Sequence, residues 1–195
     1  ICLAIKHVHD RKILHWDLKS QNIFLTKTHW IKLGDFGIAK VLEHTKDIAK
    51  TVVGTPYYLS PEIIENKPYS FSSDIWSLGV LLYEMCSLRP PFDATSLHEL
   101  ARKILKGKYP PLPKFYSDKI GALVDTLLTV DSWKRPNINL ILKFPFISEK
   151  IGRFLKEDIF KDEFSHTIIH NWRFFDAKGN FIKPAVIPMP EIKEE

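Results

Sequence analysis

Apolar positions change their spacing along this chain, and the changes mark its elements. In ICLAIKHVHD (residues 1–10), Leu3, Ile5 and Val8 recur among polar residues, which predicts a helix. NIFL (22–25) and IKL (31–33) are short β-prone runs around a polar turn and predict two brief strands. Residues 38–62 are polar and Thr-rich, then carry a TP and an SP dipeptide. They predict a long irregular segment, a kind of loop that is often functional. From residue 72, SSDIWSLGVLLYEMCSL has Ser and Asp at its front and near-continuous apolar character behind, the pattern of a helix buried on most sides. RPPF (89–92) is expected to stop it, because proline cannot continue a helix. SLHELARKILKG (96–107) reads as an amphipathic helix ending at Gly107. YPPLP reads as a spacer, SDKIGALVDTLLTV (117–130) as a helix with a Ser or Asp cap, and NINLILKFPFI (137–147) as a last short helix. Past residue 150 the periodicity weakens. GRFLKEDIFKDEF predicts one more helix, and the Pro-rich acidic end predicts a tail that is only partly ordered.

Composition narrows this picture. The 195 residues are 45% hydrophobic and 12% aromatic, enough for one globular domain with a substantial core. The net charge of +5 is scattered, with no dense Lys/Arg block, so no nucleic-acid partner is expected. Cys2 and Cys86 lie far apart, without a C-x-x-C or Cys/His cluster, which predicts buried free thiols in a reducing compartment and no zinc site. No apolar run reaches the about 18 residues of a membrane span, and the start is not a signal peptide. The chain has no initiator Met and opens in what reads as mid-helix, so it is expected to be a fragment with more chain upstream.

Four patterns occur in one order: His15-Trp16-Asp17-Leu18-Lys19-Ser20-Gln21-Asn22; Asp35-Phe36-Gly37; Gly54-Thr55-Pro56-Tyr57-Tyr58-Leu59-Ser60-Pro61-Glu62; and Asp74-Ile75-Trp76-Ser77-Leu78-Gly79, with Arg135-Pro136 far downstream. Together, at these spacings, they resemble the protein-kinase family. The resemblance implies an α+β class: part of a bilobal protein kinase fold, mainly the α-helical C-lobe with short strands around the catalytic loop. Residues 1–150 are expected to be that C-lobe, and 151–195 a post-kinase tail with a helical start. ILHxDLKSQNIFL, KLGDFGIA, GTPYYLSPEI and the later IxxKIxRFL stretch are similar to the NIMA-related (Nek) serine/threonine kinases.

The chemistry accounts for the residue types. Phosphoryl transfer from ATP needs positioning and charge neutralisation more than covalent help. By the resemblance, Asp17 is the base that orients and accepts the proton of the attacking hydroxyl. Lys19 steadies the transferred phosphate, and Thr55 packs beside this pair. Asn22 and Asp35 offer oxygens to Mg²⁺, a cation that completes its shell with phosphates and waters. Phe24 lies under the adenine. Lys19 also argues for Ser/Thr acceptors, because tyrosine kinases generally lack a lysine there. Glu62 and Arg135 match a buried ion pair, and Asp74 a carboxylate that accepts bonds from the catalytic-loop backbone. Taken alone, Asp74 reads equally well as an ordinary helix cap. Thr51 matches an activating phosphosite of Nek-like kinases, or is an exposed loop hydroxyl. The implied partners are protein substrates with Ser/Thr acceptors. The implied location is cytoplasmic, with centrosome, cilium or nucleus by family analogy.

Two departures stand out. No G-x-G-x-x-G occurs in the chain, so the ATP-clamping N-lobe is expected to be missing and the isolated piece to be inactive, with an exposed apolar inter-lobe surface. Trp16 stands where most of the family has arginine. A guanidinium makes bidentate charge-assisted bonds to a phosphate on the activation segment, and an indole with one neutral N–H does not. Lys40 is a partial substitute charge for a phosphate there. Trp16 therefore fits a kinase that bypasses phosphate control, a pseudokinase-like interaction module without catalysis, or a single base change from an Arg codon.

Overall fold

The computed structural model describes residues 1–27, 31–34 and 56–154. These form two compact units, one of Ile1 and Lys12–Asn137, the other of Cys2–Arg11 with 138–154.

In the larger unit a 3-10 turn at Ser20–Asn22 leads into β1 (Ile23–Leu25), which pairs antiparallel with β2 (Ile31–Leu33) in the register Ile23↔Leu33, Phe24↔Lys32, Leu25↔Ile31. The register continues past the strands, because the Gly34 N–H donates to the Asn22 carbonyl at 3.0 Å. Phe24, Leu25 and Ile31 are exposed on this hairpin. A short helix, Pro61–Ile64, begins with Pro at its first turn, where the missing N–H removes no helical bond. Residues 61 and 62, expected to be irregular, are therefore helical.

The central helix runs from Phe71 to Ser87. Its first-turn Ser73 hydroxyl accepts the Ser70 N–H at 3.2 Å. Its apolar residues are buried on most sides, including Trp76, Val80 and Tyr83. It does not run on to the prolines. Leu88, at φ 57°, takes the left-handed cap conformation and ends it two residues before Pro90. The next helix, Leu97–Lys106, has Ser96 accepting the Glu99 N–H at 3.2 Å at one end and Gly107 at φ 64° at the other. A Cβ on Gly107 would lie 2.5 Å from Val130 Cγ2, so glycine is favoured there by both backbone and space. Phe92, Leu100, Ile104, Val124 and Leu128 close the core around Trp76.

The helix from Asp118 ends at Leu127, earlier than its apolar pattern predicts. The carbonyls of Thr129 and Val130, just beyond, accept bonds from Arg135.

In the smaller unit, a helix at Cys2–Asp10 packs on another at Ile138–Leu142, burying Ile5, Ile141 and Leu142. The stretch 137–147 is not one helix. It breaks at Phe144, and a second helix, Pro145–Phe154, starts on the proline. Proline lacks the N–H that would continue the first helix and disfavours helical geometry in the residue before it. The predicted tail lies outside the described residues from 155 on.

Cys2 and Cys86 are free thiols. Among the described residues, no helix is long and apolar enough to cross a membrane.

Candidate active site

The loop from His15 to Asn22 is held at both ends. At its start, Asp74 Oδ2 accepts the His15 N–H at 2.9 Å and Oδ1 the Trp16 N–H at 3.1 Å. Asp74 is fully buried near the front of the central helix, so its carboxylate anchors the loop instead of merely capping the helix. The Asp17 N–H folds back to the His15 carbonyl at 2.9 Å, a tight turn around residue 16. Trp16 sits at φ 70°, a region sparsely populated by bulky side chains and costing roughly 1–2 kcal/mol. Such a conformation persists only where its surroundings over-determine it. Here the bonds to Asp74 and the packing of the indole do so. The indole stacks on Tyr69, with ring centroids 4.1 Å apart and planes 16° apart. The Tyr69 hydroxyl in turn donates to Asp74 Oδ1 at 2.5 Å.

At the far end of the loop, Lys19 Nζ lies 2.5 Å from Asp17 Oδ2. Asn22 Nδ2 donates to the same oxygen at 3.0 Å and to the Asp17 carbonyl at 2.8 Å. Both side-chain bonds among the described residues therefore fall on Oδ2. Asn22 is buried, and its amide turns its nitrogen end to Asp17, so the oxygen is its end with ligand character. The Asn22–Gly34 bond carries the second strand back to the loop, ending one residue before Asp35. A Cβ on Gly34 would fall 2.6 Å from the Phe24 ring, which lies across this glycine. Phe24 is itself 53% exposed.

Glu62 and Arg135 form a bidentate pair, Nη1 to Oε1 at 2.8 Å and Nη2 to Oε2 at 2.6 Å. Burial works against ionising Glu62. The bonds from Arg135 and Ser73 and the Arg135 charge outweigh it and hold the carboxyl below its ordinary pKa. Tyr58 joins two parts of the site. Its hydroxyl accepts the Ser20 N–H at 3.1 Å and donates to the Glu84 carboxylate on the central helix. Burial, then the bond to Glu84, push its phenol up to about 12.

The structure thus gathers Asp17, Lys19 and Asn22 at one point, with Trp16 and Asp74 behind them. The pair of Glu62 and Arg135 stands apart as a structural clamp. Asp35, Thr51, Thr55 and Lys40 lie outside the described residues. Tyr58, Tyr69 and Glu84 were missed from the sequence. Tyr58 lies within one of the four patterns, but nothing local assigns it a partner.

Comparison with known proteins adds the family. The model of the protein kinase domain matches residues 1–147. This chain belongs to the protein kinase family. The chain is similar to serine/threonine-protein kinase Nek1 of Mus musculus, at 52% identity over 164 residues, 84% of this chain and 14% of that protein. It is similar to Nek5 of Homo sapiens, at 49% over 170 residues, 87% and 24%. With Nek2 of Homo sapiens it shares 46% over 157 residues, 78% and 35%. The chain therefore spans well under half the length of each of these curated relatives.

Kinases of this family use ATP with Mg²⁺, and the described part of the site fits them. Asn22 supplies a neutral hard oxygen and Lys19 a cation beside it, chemistry that suits a Mg²⁺-bound phosphate chain. Among the described residues no group of three or more His, Cys, Asp or Glu side chains could hold a metal ion. Mg²⁺ in such sites needs only one or two protein oxygens.

Proposed function

We propose that this protein transfers the γ-phosphate of ATP to serine and threonine hydroxyls of proteins, with Asp17 as the base, and that residues 1–150 are the C-lobe of its catalytic domain. The observation that carries the proposal is the convergence of Lys19 and Asn22 on Asp17 Oδ2, in a loop tied to the buried Asp74. Two donors on Oδ2 fix the direction of the carboxylate. The other oxygen is then the one that accepts the proton of an incoming hydroxyl. Lys19, beside Asp17, would pair with the transferred phosphate and offset its negative charge. Asn22, with Asp35, would hold the metal, which when bound neutralises the phosphate oxygens. Phe24, open on the hairpin, offers an apolar surface to the adenine.

A purely structural interaction module is the competing reading, favoured by Trp16. It gives no reason for a lysine and an amide to be aimed at one carboxylate oxygen.

The test is Mg·ATP-dependent phosphorylation of a serine-containing acceptor peptide by the full-length protein. Asp17→Asn should lower kcat by about 10²–10⁴-fold. Transfer at the unmutated rate in Asp17→Asn sinks the assignment of the base. No transfer at all, together with no Mg·ATP-dependent rise in Tm, favours the interaction module.

A further inference from the structure

Residue 16 is the hinge of the catalytic loop. Its amide is held by Asp74, and the next amide turns back to His15, so the torsions of residue 16 set where Asp17 points. The left-handed φ there is unfavourable for a bulky side chain and has to be imposed from outside. Two ties impose it, and they meet. The backbone of residue 16 is tied to Asp74 Oδ1, and the indole lies on the ring of Tyr69, whose hydroxyl is bonded to that same oxygen. Backbone, carboxylate, phenol and indole thus form a closed circuit around the hinge. None of its links asks for a charge on residue 16.

We infer that Trp16 and Tyr69 are positioning residues, an aromatic brace that fixes the catalytic loop by ring packing and so aims Asp17 without a charged side chain at residue 16. This rests on the reading of Asp17 as the base. An offset aromatic pair has its own preferred geometry, which an aliphatic side chain of similar volume does not reproduce. The brace acts on the aim of Asp17 and not on the nucleotide, so its loss falls on kcat and leaves KM for ATP in place.

The experiment is a double-mutant cycle in the full-length protein with a serine-containing acceptor peptide. Trp16→Leu and Tyr69→Leu should each lower kcat by about 2–12-fold, with KM for ATP unchanged. The double variant should be no worse than the more damaged single variant. Trp16→Phe, which keeps a ring, should return kcat to within about twofold of the starting protein. Multiplicative losses, or losses confined to KM, overturn the brace. Amide hydrogen exchange at His15 and Trp16 gives a second reading that needs no turnover. Faster exchange in Tyr69→Leu is expected, and unchanged exchange overturns the brace. A starting protein that transfers no phosphate defeats the kinase reading alone, and the exchange measurement then decides the brace.

Discussion

Replacing Arg135 by methionine tests the clamp between Glu62 and the segment before residue 138. The guanidinium has five N–H donors, and all five are used. Nε donates to the Thr129 carbonyl at 2.6 Å, Nη1 to Glu62 and to the Ser72 carbonyl at 2.7 Å, and Nη2 to Glu62 and to the Val130 carbonyl at 3.0 Å. The Arg135 side chain is 0% exposed and that of Glu62 5%, with the guanidinium 5.1 Å from the centroid of Trp76. Methionine fills much of the volume but leaves an unpaired carboxylate and three carbonyls. Breaking such a pair from one side costs about 3–5 kcal/mol. That is a large share of the about 5–15 kcal/mol available to a domain. At about 2–4 °C per kcal/mol for a domain of this size, Tm should fall by roughly 6–20 °C. Arg135→Lys keeps the charge but loses the fork, and should cost about 1.5–3 kcal/mol. Glu62→Leu with Arg135→Met should cost less than the two single changes added, because no charge is left stranded. Urea unfolding followed by tryptophan fluorescence measures all of these. The sign with pH follows from Glu62, whose folded pKa lies below its ordinary 4.5. The unfolded chain takes up the proton first as pH falls. The contribution of the pair is therefore complete above about pH 4.5 and is lost as pH drops through the folded value. A loss under about 1 kcal/mol for Arg135→Met, or additive losses in the double variant, refutes the account.

Two further outcomes follow from close contacts in the core and site. Gly79→Ala gains about 0.5–1 kcal/mol of helix propensity, but its Cβ would lie 2.8 Å from both Leu127 Cβ and Leu128 Cδ2. Overpacking of about 1–3 kcal/mol should win, and a more stable variant in urea unfolding would show that the two helices can separate at no cost. Tyr58 has its phenol raised to about 12 in the folded state, so its contribution to stability is complete below the ordinary pKa of 10.0 and is lost as pH rises through the folded value. The stability gap between Tyr58→Phe and the starting protein should therefore be flat below pH 10 and narrow above it. A gap that stays constant through pH 12 contradicts the burial of this phenol together with its bond to Glu84.

Elements and residue types were legible locally. The helix at 96–107 declares its own ends, with Ser96 and Gly107 in the cap positions that their backbone and side-chain chemistry favour. The two strands and the buried central helix follow from apolar spacing alone. Other ends were not legible. Leu88 ends the central helix in a left-handed conformation that its side chain does not advertise. The helix at Asp118–Leu127 stops short of its apolar pattern, and the carbonyls of Thr129 and Val130 beyond it accept from Arg135, a residue outside the helix.

The site divides in the same way. Asp17, Lys19 and Asn22 lie within six residues, so a local turn brings them together and their spacing already carries the chemistry. The pairing of Glu62 with Arg135, 73 residues apart, was expected only by resemblance, since spacing along the chain says nothing about which distant charges meet. Trp16 was noticed for the guanidinium it lacks. The structure shows the ring it has, laid against Tyr69 and closed through Asp74. Local turns and periodicity are determined by neighbouring residues, and the sequence by itself is enough for them. Which ring covers which, and which carboxylate anchors a loop, is decided only when the chain has packed, because those partners are selected by shape and burial in three dimensions.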